Sequence, residues 1–261
     1  MKKYILDLNV KQISAPRPGY ALLQLTDTTA ALPPMAPGQF VEVRVDASPS
    51  TFLRRPISIN PVDRLANELW LLVHEVGDGT RAMAQLQAGD TLNVVLPLGN
   101  GFTMPAAGAA TQDYLLVGGG VGTAPLLYLG QELKALGHKP TFLLGARTAN
   151  DLLQLEAFQA LGEVHVTTED GSMGEQGFVT QHSLWNSARY DRICTCGPKP
   201  MMVAVARLAR EKGIACEASL ENMMACGLGA CLCCVEKTTE GNLCVCKEGP
   251  VFNIKRLLWQ I

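Results

Sequence analysis

The chain carries almost no surplus charge: 22 Lys and Arg against 24 Asp and Glu leave −2 across 261 residues. A protein that neutralises a phosphate backbone needs a basic stripe, so nucleic acid is excluded as the expected partner. Long apolar runs are also missing. The most membrane-like stretch, Tyr114 to Gly130 (YLLVGGGVGTAPLLYLG), is broken by five glycines and Pro125, which predicts a strand, a turn and a helix. At the N-terminus, MKKYILDLNV alternates apolar residues with Asp7 and Asn9. That is a strand pattern without the unbroken apolar core of an export signal, so a cytoplasmic protein with no membrane association is expected. The four histidines, His74, His138, His165 and His182, show no metal-ligand spacing, and His138, after Gly137, is expected at the surface. Ser58 and Ser219 have no sequence-evident base partner, which disfavours a hydrolytic triad. No internal repeat or low-complexity segment is present.

What is there suffices for two domains and a small module. Apolar residues make up 48% and charged residues 18%, as in an ordinary soluble globular protein. The first hundred residues read as short strands (ILDLNVKQI, YALLQLT, GQFVEVRV, RRPISI, ELWLLVHEV, DTLNVVLPL) divided by turns such as PRPG, PPMAPG and GDGT. This predicts an antiparallel β-barrel or sandwich, with TRAMAQLQ as one short capping helix. After a linker within GNGFTMPAAGAATQ, strands rich in Leu, Val and Ile alternate with helices, predicting a parallel α/β sheet. One of those helices is DLLQLEAFQALG. The final forty or so residues have neither period. The expected domains are residues 1–102, 103–218 and 219–261.

Three segments suit ligands. GGGVGTAP, Gly118 to Pro125, follows a strand and opens a helix, where glycines let backbone N–H groups approach a phosphate. Thr123 stands at the third glycine of the dinucleotide fingerprint, so a plain tight turn is the alternative. CTCGPKPMM, Cys194 to Met202, repeats the geometry at a later strand end. Cys194 reads as an inert buried thiol and Cys196 as a residue lining a ligand site. Arg54 and Arg55 precede Pro56, a pair suited to phosphate but equally to solvated surface, on a strand that Pro56 makes an edge or a bend.

The strongest segment is ACGLGACLCC followed by VEKTTEGNLCVCKEGP, which places six of the nine cysteines between Cys226 and Cys246. In a reducing compartment this points to metal or cluster ligation rather than disulfides. Four residues separate Cys226 from Cys231, and two more separate it from Cys234, the spacing that wraps a 2Fe–2S cluster in plant-type ferredoxins. The fourth ligand is Cys244 or Cys246. A four-cysteine zinc site is the alternative, although such sites usually pair two C-x-x-C units and the second unit here is C-x-C.

With these motifs in this order, the chain resembles the electron-transfer subunits of NAD-dependent (class 1B) dihydroorotate dehydrogenases, in the ferredoxin reductase superfamily. The resemblance spans essentially the whole length. It implies that Arg55, Pro56, Ile57 and Ser58 bind FAD, the arginine at the pyrophosphate and the serine near the flavin N5. It adds Leu72, Val73, His74, Gly79 and Thr80 as further FAD contacts. Gly120, Gly122 and Cys196 fall where NAD would approach. Cys226, Cys231, Cys234 and Cys246 match the cluster ligands, Cys246 aligning with the family's C-x-x-G-P-V-F ending. Cys244 is left a bystander and Cys233 a small apolar filler. The implied role is a relay in pyrimidine biosynthesis, from the FMN of a catalytic partner through a 2Fe–2S cluster and FAD to NAD, in a heterotetramer of two of each subunit. The small subunit of electron-bifurcating ferredoxin:NADP reductases shares the layout, but its pattern has aspartate as first cluster ligand where this chain has Cys226. A zinc-stapled nucleotide-binding module is the non-enzymatic alternative.

Overall fold

In a computed structural model, residues 2–187 and 189–259 are described. Six strands, β1 (Tyr4–Ser14), β2 (Tyr20–Thr26), β3 (Phe40–Val43), β4 (Arg55–Asp63), β5 (Glu68–His74) and β6 (Thr91–Leu98), close into an antiparallel barrel in the order β1-β2-β5-β4-β3-β6. Alternation builds it. Leu8, Leu23, Val41, Val43, Ile59, Leu69 and Leu71 point inward and are almost wholly buried. Each contributes roughly 1.5–3 kcal/mol by leaving water. The helix α1 (Asp78–Ala84) follows β5.

Pro56 was expected at an edge or bend, and the closed barrel provides a local edge. β4 pairs with β3 through Arg55–Ser58 but with β5 only from Ile59 onward. The Pro56 nitrogen, which cannot donate, therefore lies in the stretch where one side of β4 has no β5 partner.

The second sheet has seven strands. β7 (Asp113–Gly119), α2 (Ala124–Ala135), β8 (Lys139–Ala146), α3 (Leu155–Leu161), β9 (Glu163–Thr168), β10 (Glu175–Gln176), α4 (Leu184–Ser187), β11 (Arg192–Cys196), α5 (Lys199–Glu211) and β12 (Ala215–Ser219) run in chain order. Strands β7 to β12 pair in parallel in the order β10-β9-β8-β7-β11-β12. The helix α3 starts later than its apolar pattern suggests, because Gln154 adopts φ 52° immediately before it. His138 is buried rather than at the surface. Its Nδ1 accepts the Gln112 N–H at 3.1 Å and its ring meets Tyr114 edge-on, so the turn after α2 folds back under the sheet.

The C-terminal segment forms a hairpin, β13 (Val235–Thr238) with β14 (Gly241–Cys244), then a short helix α6 (Val245–Glu248). It ends in β15 (Val251–Asn253), which adds to β12 as an antiparallel edge. The cysteine segment is thereby anchored to the second sheet at both ends.

Between barrel and sheet, the Tyr128 hydroxyl donates to the Met35 carbonyl at 2.8 Å, Arg64 pairs with Glu132 at 2.9 Å, and Arg17 pairs with Asp151. Tyr20, Leu22 and Leu72 of the barrel pack against Ala124 and Leu153. On another barrel face, Phe40 and Leu98 share one core with Val117, Cys234, Val245 and Cys246, so one apolar cluster joins all three parts.

Candidate functional site

The barrel strand β4 carries the predicted flavin motif with alternating faces. Directly opposed residues of an antiparallel pair share a face. Ser58 opposes Phe40 and Pro56 opposes Glu42, whereas Ile57 opposes Val41, which lies in the barrel interior. Ser58 and Pro56 therefore lie on the outer face, beside Phe40 and the cysteine segment. Arg55 lines a cleft of about 190 Å³ together with Thr51, Gly77, Gly79 and Thr80. That volume suits a phosphate group rather than a whole dinucleotide. A side chain on Gly79 would lie 3.2 Å from Arg55 Nε, which accounts for the glycine. The Thr80 hydroxyl accepts the N–H groups of Val76 and Gly77, both at 3.0 Å, and so shapes the cleft wall. Asp78 is an acid at this cleft, but Arg81 and the Ser50 hydroxyl bond its carboxylate and hold it below the usual carboxylate range.

Of the other predicted flavin contacts, Leu72 is packed into the inter-domain cluster and Val73 into the barrel core. Only their backbone is free to meet a ligand. His74 stacks flat on Tyr20, with centroids 4.3 Å apart, and Arg17 lies over the other ring at 5.1 Å. Burial first, then the Arg17 charge, lowers the His74 pKa and favours the neutral ring.

The two glycine turns meet. β7 and β11 are neighbours, with Gly118 beside Cys196, and their turns leave from the same end. Gly120 has φ 57° in the turn before α2. Gly122 touches the opposite turn so closely that a Cβ there would lie 2.5 Å from Gly197 Cα and 2.8 Å from the Cys196 carbonyl carbon. Cys196 is fully buried, and burial drives its thiol pKa far up, so it acts by shape rather than as a thiolate. Cys194 is buried as expected, and burial raises its thiol pKa far above the usual range.

In the cysteine segment the four predicted ligands lie along one curl of chain, Cys226 and Cys231 toward the surface and Cys234 and Cys246 buried. The chain curls so that backbone donors face sulfur: Leu228 N–H to Cys226 Sγ at 3.3 Å, Gly229 N–H to Cys246 Sγ at 3.1 Å, and Cys246 N–H to Cys234 Sγ at 3.3 Å. Gly227 and Gly229 both have left-handed φ, 65° and 82°, which permits that curl. Burial raises the Cys226 pKa, but N–H groups of Leu228, Cys231 and Ala230 outweigh it and hold the thiol at about 6. Burial and the neighbouring Cys234 push Cys246 up to about 12. Backbone N–H groups aimed at sulfur suit an anionic iron–sulfur centre, whose sulfurs need such donors.

The remaining thiols separate. Cys244 is buried in the shared core, and its N–H bonds the Glu248 carboxylate at 2.9 Å. Cys233 is exposed, which corrects its reading as an apolar filler: a filler is buried, and this side chain faces solvent beside Leu232.

One residue was missed. Glu42, on the outer face of β3, is 1% exposed and lies against Gly227. Burial, moderated by Arg54 and reinforced by Cys226, raises its pKa to about 7.

Comparison with known proteins agrees with this geometry. Residues 221–258 match the iron-sulfur cluster binding domain of dihydroorotate dehydrogenase B, and residues 116–207 match the oxidoreductase NAD-binding domain. The dihydroorotate dehydrogenase B (NAD(+)) electron transfer subunit of Bacillus caldolyticus is 42% identical over 219 residues, 83% of this chain and 84% of that one. Its Listeria monocytogenes counterpart is 39% identical over 251 residues, 95% and 97% of the two chains. Among solved structures, an NADH-dependent reduced ferredoxin-NADP oxidoreductase aligns with TM-score 0.81 and 28% identity, over 97% of this chain and 90% of that one. That enzyme is a structural neighbour, whereas the sequence relatives carry the dihydroorotate name. The barrel with its flavin motif, the paired glycine turns and the thiol cradle thus occur together in a chain that belongs to the electron transfer subunits of dihydroorotate dehydrogenase B (NAD(+)).

Proposed function

We propose that Cys226, Cys231, Cys234 and Cys246 hold a 2Fe–2S cluster, that Arg55–Ser58, His74, Gly79 and Thr80 hold FAD, and that the turns at Gly120, Gly122 and Cys196 receive NAD. When bound, these groups supply single-electron transfer at the cluster and its exchange, at the flavin, for the hydride pair carried by nicotinamide. The residues of the chain set the order. Cys226 and Cys231 lie outermost, flanked by the exposed side chains of Leu228 and Leu232. Cys234 and Cys246 lie beneath them, buried in the core they share with Phe40, which opposes Ser58. This graded path, from surface thiols to the flavin strand, is the observation that carries the reading.

The exposed end would face a catalytic partner whose FMN oxidises dihydroorotate, in an assembly of two subunits of each kind serving pyrimidine synthesis. This chain has no role in binding the pyrimidine. Arg55 anchors a phosphate, Ser58 faces the flavin edge, and the core around Phe40 and Val245 keeps water from the path. Cys226, where bifurcating reductases have aspartate, favours the dihydroorotate relay.

Anaerobic co-purification with the catalytic subunit tests this reading. The complex should contain FAD, iron and acid-labile sulfide, and its visible bands should bleach with NADH and with dihydroorotate. The isolated chain should bleach with NADH alone. A colourless chain holding zinc, or an isolated chain bleached by dihydroorotate, overturns the reading.

A further inference from the structure

Arg54 and Arg55 are a pair in the sequence, but the fold separates their side chains. Arg55 lines the cleft of about 190 Å³ whose volume suits a phosphate, and Arg54 does not. Arg54 is half-buried, and its guanidinium reaches across β3 to β6. One terminal nitrogen donates to the Glu42 and Asn93 carbonyls, both at 3.2 Å, and the other to Asn93 Oδ1 at 2.5 Å. The planar fork of an arginine holds acceptors on two strands at once, a geometry that the point charge of a lysine does not match.

Asn93 is held in place for this bond. Its Nδ2 donates to Asp7 Oδ1 at 2.6 Å, and a carboxylate only accepts, so the amide oxygen is left facing Arg54. The Asn93 carbonyl also accepts the Arg44 N–H at 2.9 Å. One carbonyl of β6 thus receives donors from both ends of segment 44–54, which joins β3 to β4. Ser50 and Thr51 of that segment form one wall of the cleft, and the Ser50 hydroxyl donates to Asp78 on the other wall at 3.0 Å. The last link runs to Arg55 itself, whose Nη1 donates to the Arg54 carbonyl at 3.3 Å. The fork fixes the Arg54 peptide, and that peptide orients the Arg55 guanidinium.

We propose that Arg54, seated by Asn93 and Asp7, is a positioning residue for FAD: it clasps segment 44–54 beside the cleft and aims Arg55 at the pyrophosphate, without touching the phosphate itself. The proposal rests on the reading of Arg55 as the pyrophosphate anchor, whose own failure would show in an Arg55 variant alone.

The experiment is a double-mutant cycle on the full chain with R54M, R55M and R54M/R55M, reading the FAD dissociation constant from flavin fluorescence on dilution. A residue that acts through another loses its effect when the other is removed, whereas independent effects add. R55M should weaken FAD binding about 10- to 100-fold, as loss of a hydrogen bond to a charged group does. R54M should weaken it about tenfold with Arg55 present, and less than about twofold in the R55M background. R54K keeps the charge but not the fork, so it should fall between parent and R54M with the same dependence on Arg55. Should R54M not fold, R54K carries the comparison. An equal loss in both backgrounds overturns the proposal, because it marks direct phosphate contact or general loosening of the barrel. Parental FAD affinity in the Arg54 variant compared overturns it too. Parental affinity in R55M overturns the anchor reading, and the clasp with it.

Discussion

We expect Cys246→Ser to abolish the cluster and Cys244→Ser to leave it in place. Only Val245 separates the two cysteines, yet the backbone turns between them. Cys244 ends β14, with its side chain in the shared core and its N–H on Glu248. Cys246 lies one residue into α6, where its sulfur accepts the Gly229 N–H and its own N–H reaches Cys234 Sγ. Only Cys246 therefore faces the cradle. A serine hydroxyl is a much poorer ligand for iron than a thiolate, and the surrounding donors are spaced for sulfur. We expect C246S to lose iron, sulfide and the visible cluster bands. Transfer of electrons from the catalytic partner should fall on the order of 100-fold or more, above what loss of an outer contact costs. Transfer from NADH to an artificial dye, which needs only flavin and nicotinamide turns, should stay close to parental. C244S should keep the cluster and lose some stability, about 1–2 kcal/mol, from an unpartnered hydroxyl in the core. Loss of iron from C244S with retention in C246S would reverse the assignment.

Much of this was legible because periodicity survives in the chain. The barrel strands and the β/α alternation read directly, since each apolar face is continuous with one core. What was not legible depends on pairing over distance. β15 is three residues long, and Val251–Asn253 becomes a strand only because β12, more than thirty residues earlier, offers an edge. Gln154 hides the true start of α3, because Leu152 and Leu153 continue an apolar pattern that the backbone interrupts. Glu42 alternates with Val41 and Val43, and a polar residue in that position reads as solvent-facing. Burial of the outer barrel face by the cysteine segment is a tertiary fact that no local pattern carries. Cysteine spacing did carry the first three thiols. The choice of Cys246 over Cys244 came from resemblance; the turn at α6 brings Cys246 beside Gly229 and Cys234, which is compatible with that choice.

Gly122→Ala is the second large effect, and it should fall on nicotinamide alone. The methyl group would meet Gly197 Cα at 2.5 Å, Gly197 N at 2.6 Å and the Cys196 carbonyl carbon at 2.8 Å. All three are backbone atoms, so no side chain can swing away, and the two turns must separate. Overpacking of this kind costs about 1–3 kcal/mol. Separation displaces the backbone N–H groups and Cys196 from the place where nicotinamide would be aligned with the flavin edge. A misplacement near 1 Å costs on the order of 100-fold in rate, so hydride exchange with NADH should drop by about that much, with a raised KM. Gly120→Ala provides the control. Its Cβ meets nothing within 4 Å, and only the left-handed backbone, φ 57°, resists substitution, at about 1 kcal/mol. Its NADH kinetics should change far less. In both variants iron and sulfide content should remain parental, because the atoms a Gly122 Cβ would meet belong to Gly197 and Cys196 and none to the cysteine segment. Stopped-flow reduction by NADH checks the pair. Equal losses in the two variants would mean that backbone freedom, rather than the meeting of the turns, governs this site.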